Sequence, residues 1–169
     1  RKFLEVAPKA PQRAEAMRRI GDLEMDSVDQ RSENPQATAG PDYRVAVARY
    51  QEFLKTYPND PANDRVLYQL ARAQEQSGEL ETALKTLDRL VAAYPNTAVR
   101  EESQFRRGEL LFTLKTYPAA EQAYNAVLAQ NTQTAYRDRA LYMQGWSRFK
   151  QAKLEEGLQS FFGVLDGKL

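Results

Sequence analysis

The sequence predicts an all-α fold built from repeated helical hairpins. Good helix formers dominate the composition, with 23 Ala and 18 Leu against 9 Val and one Ile, and scarce β-branched residues disfavour strands. The chain also repeats itself at a fixed interval, and each repeat carries two amphipathic runs separated by a short break. Such a period is the sequence signature of a solenoid, in which hairpins stack along one axis.

The composition excludes several classes of site. The 169 residues contain no Cys and no His, so Cys/His zinc sites, disulfides and Ser-His-Asp triads cannot form. Gly-rich phosphate loops are also missing, so we expect no enzymatic activity, no metal and no cofactor. With 24 basic and 23 acidic residues the net charge is +1, which argues against nucleic acid as a partner. No apolar run reaches the roughly 18 residues that a membrane-spanning helix needs.

The repeat has a period of 37 residues. Tyr57-Pro58-Asn59 recurs as Tyr94-Pro95-Asn96, which is 37 positions further along the chain. Small and bulky residues follow in the same register. Four sets of positions share this step: Ala46, Ala83, Ala120 and Gly157; Tyr50, Leu87, Tyr124 and Phe161; Phe53, Leu90, Val127 and Val164; and Ala71, Gly108 and Gly145.

The second repeat shows why each unit is predicted to be a hairpin of two helices. A first amphipathic run through Leu67 and Leu70 is interrupted at Ser77-Gly78, and a second run begins near Leu80. That run ends before Pro95, because proline lacks an N–H and disfavours helix in the preceding residue. The next helix is expected to begin near Thr97.

On these residues the chain resembles the tetratricopeptide repeat family. The family pattern places Leu-Gly in the first helix, Ala and an aromatic four residues later in the second, and Pro at the end of the unit. The resemblance covers nearly the whole chain and implies a right-handed α-solenoid whose concave face is lined by first helices. The matching residues include Met17, Ile20, Gly21, Ala46, Tyr50, Phe53 and Pro58 in the first repeat, and Leu67, Leu70, Ala71, Ala83, Leu87 and Pro95 in the second.

The register predicts one tetratricopeptide domain over residues 1–169, taken from a longer protein. Residues 1–10 are expected to be the tail of a preceding repeat, followed by repeats at 11–60, 61–97, 98–134 and 135–169. The first repeat carries an insertion near 33–41, whose Pro and Gly favour a loop after an extended first helix. That loop is either a mobile surface segment or a partner-contacting elaboration. Asp42 is predicted to cap the next helix.

The resemblance implies that residues on the first helices form a peptide-binding groove. Aromatic side chains supply apolar area there, and the cations pair with carboxylates of the bound peptide. For Tyr68, Phe105 and Tyr142 packing between repeats is an equal alternative, and Trp146 and Phe149 are either groove residues or packing residues exposed by truncation. The predicted groove residues are Arg65, Tyr68, Arg72, Phe105, Arg106, Phe112, Arg139, Tyr142, Trp146 and Phe149.

The sequence therefore predicts a scaffold that binds a protein or peptide partner. The carboxylate-gripping pattern of co-chaperone members is not reproduced, since Asp22 and Glu102 would repel a carboxylate. Loops closing on Tyr-Pro-Asn resemble those of periplasmic and outer-membrane-associated bacterial members, which gives that location as the expectation and the cytoplasm as the alternative. Two further hypotheses are an accessory domain of a larger envelope enzyme and a structural spacer that self-associates.

Overall fold

A computed structural model describes residues 12–32, 41–130 and 134–166. These ranges contain eight α-helices and no strand, which confirms the predicted all-α fold. None of the eight is long and apolar enough to cross a membrane. The expectations for residues 1–10 and for most of the insertion lie outside the described residues. The helices are α1 (Arg13–Ser32), α2 (Arg44–Thr56), α3 (Asn63–Gln76), α4 (Leu80–Ala93), α5 (Arg100–Thr113), α6 (Tyr117–Leu128), α7 (Ala135–Lys150) and α8 (Leu154–Asp166).

The chain divides into two compact units, Arg1–Thr86 and Leu87–Leu169, and the boundary falls inside α4. In the first unit α2 packs against both α1 and α3, and Met25, Tyr50 and Leu67 are almost fully buried. In the second unit α6 packs between α5 and α7, and α8 packs on α7. The core of this unit includes Phe105 and Tyr124, again almost fully buried.

Glycines in the first helices allow the aromatic rings of the second helices to approach closely. A Cβ atom at each of these positions would lie under 3.0 Å from a ring carbon, which real structures do not tolerate without movement. Only glycine therefore fits where these helices cross. The contacts join Gly21 to Tyr50, Gly108 to Tyr124 and Gly145 to Phe161, with would-be Cβ distances of 2.8, 2.6 and 2.6 Å respectively.

The turn inside each of the last three hairpins has the same backbone geometry. One residue adopts a positive φ, which is +80° at Gly78 and +60° at both Lys115 and Ala152, and these residues are 37 positions apart. Each turn carries the hydrogen bond that spans five residues in a Schellman motif. The donors and acceptors are Glu79 N to Gln74 O, Thr116 N to Leu111 O and Lys153 N to Arg148 O, at 2.9, 2.8 and 3.0 Å.

The extended first helix is anchored to the start of α2. α1 continues to Ser32 and is 20 residues long, against 14 for α3. Val28 in this extension is buried, and the Tyr43 hydroxyl donates to Asp29 Oδ1 at 2.9 Å.

Two predicted helix starts differ from the structure. Tyr43 occupies the N-cap position of α2, although Asp42 still accepts the Arg44 backbone N–H at 3.0 Å. α5 begins at Arg100 rather than near Thr97, because residues 94–99 form turns first, with Thr97 N donating to Tyr94 O.

Candidate protein-binding surface

The predicted groove residues fall in both units, and only some of them are exposed. In the first unit Tyr68 is 7% exposed and belongs to the core. Arg72 is half-buried and donates to Gln69 Oε1 at 3.0 Å and to Asp29 Oδ2 at 3.4 Å. Arg65 is exposed. The ring of Tyr68 therefore offers no surface to a ligand, and the charge of Arg72 is already offset by a carboxylate.

Arg65 also lines a small polar pocket of about 120 Å³ in the first unit. Arg18 and Asp22, whose side chains are 3.7 Å apart, line the same pocket. Asp22 accepts a hydrogen bond from Tyr50 at 3.0 Å, and burial together with this carboxylate raises the pKa of Tyr50. The pocket thus mixes two guanidinium groups with one carboxylate that is held by the core.

In the second unit Phe105 is a packing residue. It is 2% exposed, with the Tyr136 ring 5.3 Å away and the Arg139 guanidinium 4.8 Å from its centroid. Arg139 also contacts Glu109, at 3.3 Å. Of the two open interpretations of Phe105, the structure gives packing, because the first helix of the following repeat covers the ring.

The remaining groove residues on α5 are also engaged. Arg106 lies 3.9 Å from Glu102 on the same helix. Phe112 is half-buried, with the Tyr117 ring edge-on at 5.2 Å. Each of Arg72, Arg106 and Arg139 therefore has an acidic neighbour within its own unit, and the predicted cationic character of the groove is weakened.

The α7 aromatic patch, formed by Tyr142, Trp146 and Phe149, is the exposed part of the prediction. These side chains are 49%, 36% and 49% exposed. Trp146 contacts Phe149 edge-on at 5.6 Å, and its ring lies 5.7 Å from Phe161 and 6.3 Å from Tyr142. Phe161 is itself held against Gly145. The patch is therefore a set of exposed aromatic rings that contact one another and Phe161 of α8.

The pattern of α7 explains why the patch points outward. Ala140, Gln144, Gly145 and Ser147 are buried, so the opposite side of the helix carries the aromatic residues. The Gln144 amide donates to Asn125 Oδ1 at 2.5 Å, which fixes α7 against α6. Because small and hydrogen-bonded residues already hold one side of α7, a ligand that binds the other side loses little entropy in ordering the helix.

An apolar stripe on α8 was missed by the sequence analysis. It consists of Leu154, Leu158, Phe162 and Leu165, which are 55%, 55%, 59% and 57% exposed. Their spacing of four, four and three residues places them on one side of the helix, and this spacing was the available signal. A nearly apolar pocket of about 220 Å³ joins the stripe to the patch. The pocket is lined by Phe149, Leu154, Gly157, Leu158 and Phe161.

A cluster of three hydrogen-bond donors around one buried carboxylate, between α6 and α7, was missed as well. Glu121 accepts hydrogen bonds from Arg148 Nε at 2.7 Å, Lys153 Nζ at 2.9 Å and Gln151 Nε2 at 2.9 Å. Burial opposes the charged form, but these three donors outweigh it and lower the pKa of Glu121 to about 2. The cluster fixes the fourth repeat to the third. No group of acidic residues suited to a metal ion occurs in the described ranges.

Helix pairs that are closed by Schellman turns, with a glycine–aromatic contact at three of the helix crossings, define a helical-hairpin repeat protein. Residues 38–101 match the family model described as tetratricopeptide repeat. The match covers 64 of the 169 residues, and over this segment the chain is similar to the tetratricopeptide repeat family. No curated protein matches the sequence.

Solved structures share this fold at low sequence identity. A MamA crystal structure is 18% identical over 98% of this chain and 76% of its own, with a TM-score of 0.73. A MamA fragment from Desulfovibrio magneticus is 23% identical, with 86% and 74% covered and a TM-score of 0.65. A tetratricopeptide repeat protein from Parabacteroides merdae is 20% identical, with 90% and 53% covered and a TM-score of 0.72.

Proposed function

We propose that this chain is a protein-binding scaffold whose first-helix faces hold a segment of a partner protein. The α7 aromatic patch supports this proposal most directly, because three large aromatic side chains stand exposed and mutually supported on one helix. Aromatic residues in such positions are enriched among the few residues that dominate binding energy. Their rings bring large contact areas with few rotatable bonds to immobilise.

The chemistry of the partner segment follows from the charges around the patch. Arg139 and Arg106 have carboxylate neighbours at 3.3 and 3.9 Å, so a ligand carboxylate would compete with Glu109 and Glu102. Exposed ion pairs contribute little binding energy. The partner segment is therefore expected to bind through apolar side chains, with charge in a secondary role.

The proposed location is the periplasm or the outer-membrane surface of a bacterium, within an envelope assembly. It rests on the resemblance of the Tyr-Pro-Asn loops and of the 37-residue period to envelope members of the family. Fractionation of cells that express the full-length gene product would place the protein directly. Recovery in the cytoplasmic fraction alone would contradict this part of the proposal.

The binding experiment uses Trp146, the one Trp in the chain. The tagged chain is incubated with an envelope extract, captured proteins are identified, and each purified candidate is titrated while Trp146 emission is followed. A partner that covers the patch shifts the emission to shorter wavelength. Phe149→Ala is expected to lower the affinity for that partner at least tenfold, because interface aromatics contribute on the order of 2 kcal/mol to binding. Arg72→Ala has a smaller effect, since Arg72 is engaged by Asp29.

Leu23→Ala provides the matched control. Leu23 is a large apolar residue, 58% exposed, on α1 of the first unit. Its truncation tests whether the loss of any exposed apolar side chain weakens partner binding. The variant is expected to bind the partner as the unmodified chain does. If Phe149→Ala binds the same partners with unchanged affinity, and Trp146→Ala still captures them from the extract, the α7 aromatic patch is not the binding surface.

A further inference from the structure

Two pairs of side chains join α6 to α7, and they lie one helical turn apart. The inner pair is Glu121–Arg148, in which Arg148 Nε donates to the carboxylate at 2.7 Å. The outer pair is Asn125–Gln144, four residues further along α6 and four residues back along α7. The inner pair is mostly buried, with side chains 12% and 22% exposed, whereas Asn125 is exposed. The two pairs together fix α7 in one antiparallel register on α6.

The α7 members of both pairs also hold α8. Arg148 donates to Ser160 Oγ at 2.9 Å, and Ser160 donates to Gln144 Oε1 at 2.7 Å. One polar network therefore joins three helices. Large apolar side chains of α7 contribute little to selecting its position on α6, because the buried residues of α7 are all small or polar. These residues are Ala140, Gln144, Gly145 and Ser147.

The preceding junction, between α4 and α5, uses the outer-pair positions with different chemistry. The residues 37 positions before Asn125 and Gln144 are Asp88 and Arg107. They form an ion pair in which Arg107 Nε lies 2.5 Å from Asp88 Oδ1. The same place in the repeat is thus occupied by an acid–base pair at one junction and by two neutral amides at the next.

The inner-pair positions differ more strongly between the two junctions. The residues 37 positions before Glu121 and Arg148 are Leu84 of α4 and Leu111 of α5. A copy of α7 docked on α4 would set Arg148 against Leu84, and a copy of α5 docked on α6 would set Leu111 against Glu121. Each exchange buries a charge without its partner, which is strongly destabilising. The helix crossing makes no such distinction, because the glycine–aromatic contact is the same in the third and fourth repeats.

We propose that the inner and outer pairs determine the order of the hairpins, by assigning the α7–α8 hairpin to α6 and excluding it from α4. Proteins built from similar repeats characteristically misassemble by exchanging like elements within or between chains. A mismatch at each wrong junction counters this exchange, since specificity requires that the alternatives be disfavoured as well as the native pairing favoured. The inference concerns how the chain orders its own hairpins, so it stands or falls independently of the proposed binding function.

The test compares two variants of the full chain that have the same composition. The same-order variant, E121L/N125D/Q144R/R148L, copies the residues of the α4–α5 junction at all four positions, so its α7 matches α4 as well as α6. The opposed-order variant, E121L/N125R/Q144D/R148L, carries the same two leucines but exchanges the places of the Asp and the Arg. Its α7 therefore still pairs with α6, whereas on α4 it would set one Asp against another.

Both variants and the unmodified chain are unfolded in urea and refolded at several concentrations. Size-exclusion chromatography with light scattering measures the dimer fraction, and the emission of Trp146 on α7 follows the refolding of monomers. An exchanged dimer forms only on refolding and persists on dilution, which separates it from reversible association of folded chains. We expect the same-order variant to give about fivefold more exchanged dimer or slowly refolding monomer than the opposed-order variant, which refolds as the unmodified chain does.

A smaller change keeps the test decisive if the same-order variant does not fold, which circular dichroism would show. E121L/R148L removes only the inner pair, and it is expected to give more exchanged or slowly refolding product than the unmodified chain. Equal yields of such product from the two quadruple variants overturn the inference. It is also overturned if E121L/R148L refolds as cleanly as the unmodified chain, or if the unmodified chain itself refolds to an exchanged mixture.

Discussion

The third and fourth repeats share one skeleton, meaning the same helix crossing and the same turn, but the surfaces that they carry differ in chemistry. Both pack a glycine against an aromatic ring and both turn through a residue with φ +60°. On the side that faces along the array, however, the third repeat carries Glu121 where the fourth carries Leu158. Glu121 is 9% exposed and bound by α7, whereas Leu158 is 55% exposed. Helix crossing thus sets the skeleton residues, and the covering element sets the surface residues.

The largest expected effect comes from giving the third repeat the surface residue of the fourth. Glu121→Leu leaves Arg148 without its carboxylate in a site where both side chains are mostly buried, at 12% and 22% exposure. We expect the free energy of unfolding to fall by about 2–3 kcal/mol. Urea denaturation at neutral pH measures it.

The double variant E121L/R148L tests the cause. It replaces the charged pair by apolar groups. Leucine is the natural choice at position 148, because the residue 37 positions earlier in the third repeat is Leu111. Such a replacement recovers more than half of the loss. The reverse exchange, Leu158→Glu, changes stability by no more than about 0.5 kcal/mol because the position is exposed. An equal loss in E121L and L158E would remove the distinction between the two surfaces.

Acid denaturation separates the charge of Glu121 from its packing. The folded-state pKa of Glu121, about 2, lies below the ordinary value of 4.5. Its contribution to the free energy of unfolding is therefore present above pH 4.5 and is lost as the pH falls toward 2. Glu121→Gln therefore destabilises the chain at pH 7, and the difference from the unmodified chain shrinks through this window. A difference that does not change with pH would assign the effect to packing.

Gly108→Ala tests the shared skeleton and is expected to have the next largest effect. The new methyl group would lie 2.6 Å from a ring carbon of Tyr124, and overpacking of this kind costs about 1–3 kcal/mol. Gly163→Ala in α8 is the control, because its methyl group would meet Leu141 at 3.7 Å and alanine favours helix. Thermal unfolding should place G108A below the unmodified chain and G163A at or above it; the opposite order contradicts the close-crossing argument.

The smallest expected effect concerns the turn. Lys115 has a φ of +60°, where a side chain is strained and glycine is not. Lys115→Gly is expected to raise the free energy of unfolding by about 0.5–1 kcal/mol, after allowing for the greater freedom of glycine in the unfolded chain. Gly78→Ala, at a φ of +80°, should lower it by a similar amount. Urea denaturation measures both changes. If both variants have the same free energy of unfolding as the unmodified chain, the backbone of the turn is not strained.

The skeleton was predictable from the sequence because each helix crossing leaves the same mark in every repeat. Gly108 and Gly145 recur at the 37-residue step, Gly21 takes the same place in the first repeat ahead of the insertion, and the structure joins each of the three to an aromatic ring. The end of α3 at Gln76 and of α4 at Ala93 likewise follow from Ser77-Gly78 and Pro95, which are local signals.

The surface was less predictable because burial depends on what covers a position. Tyr68, Phe105 and Tyr142 occupy one register, yet they are 7%, 2% and 49% exposed. Phe105 is covered by Tyr136, which differs from its repeat counterparts and leaves no periodic signal. Glu121 shows the same difficulty, since its three donors come from non-repeating residues between 148 and 153.

The short reach of the helix contacts has a consequence for folding kinetics. The contacts within each unit join helices that are one or two places apart in the chain, so closing them requires only short loops. Chains with such a low contact order fold in microseconds to milliseconds. Because repeats stabilise mainly their neighbours, amides in the middle of an array should exchange with solvent deuterium more slowly than amides in its terminal hairpins.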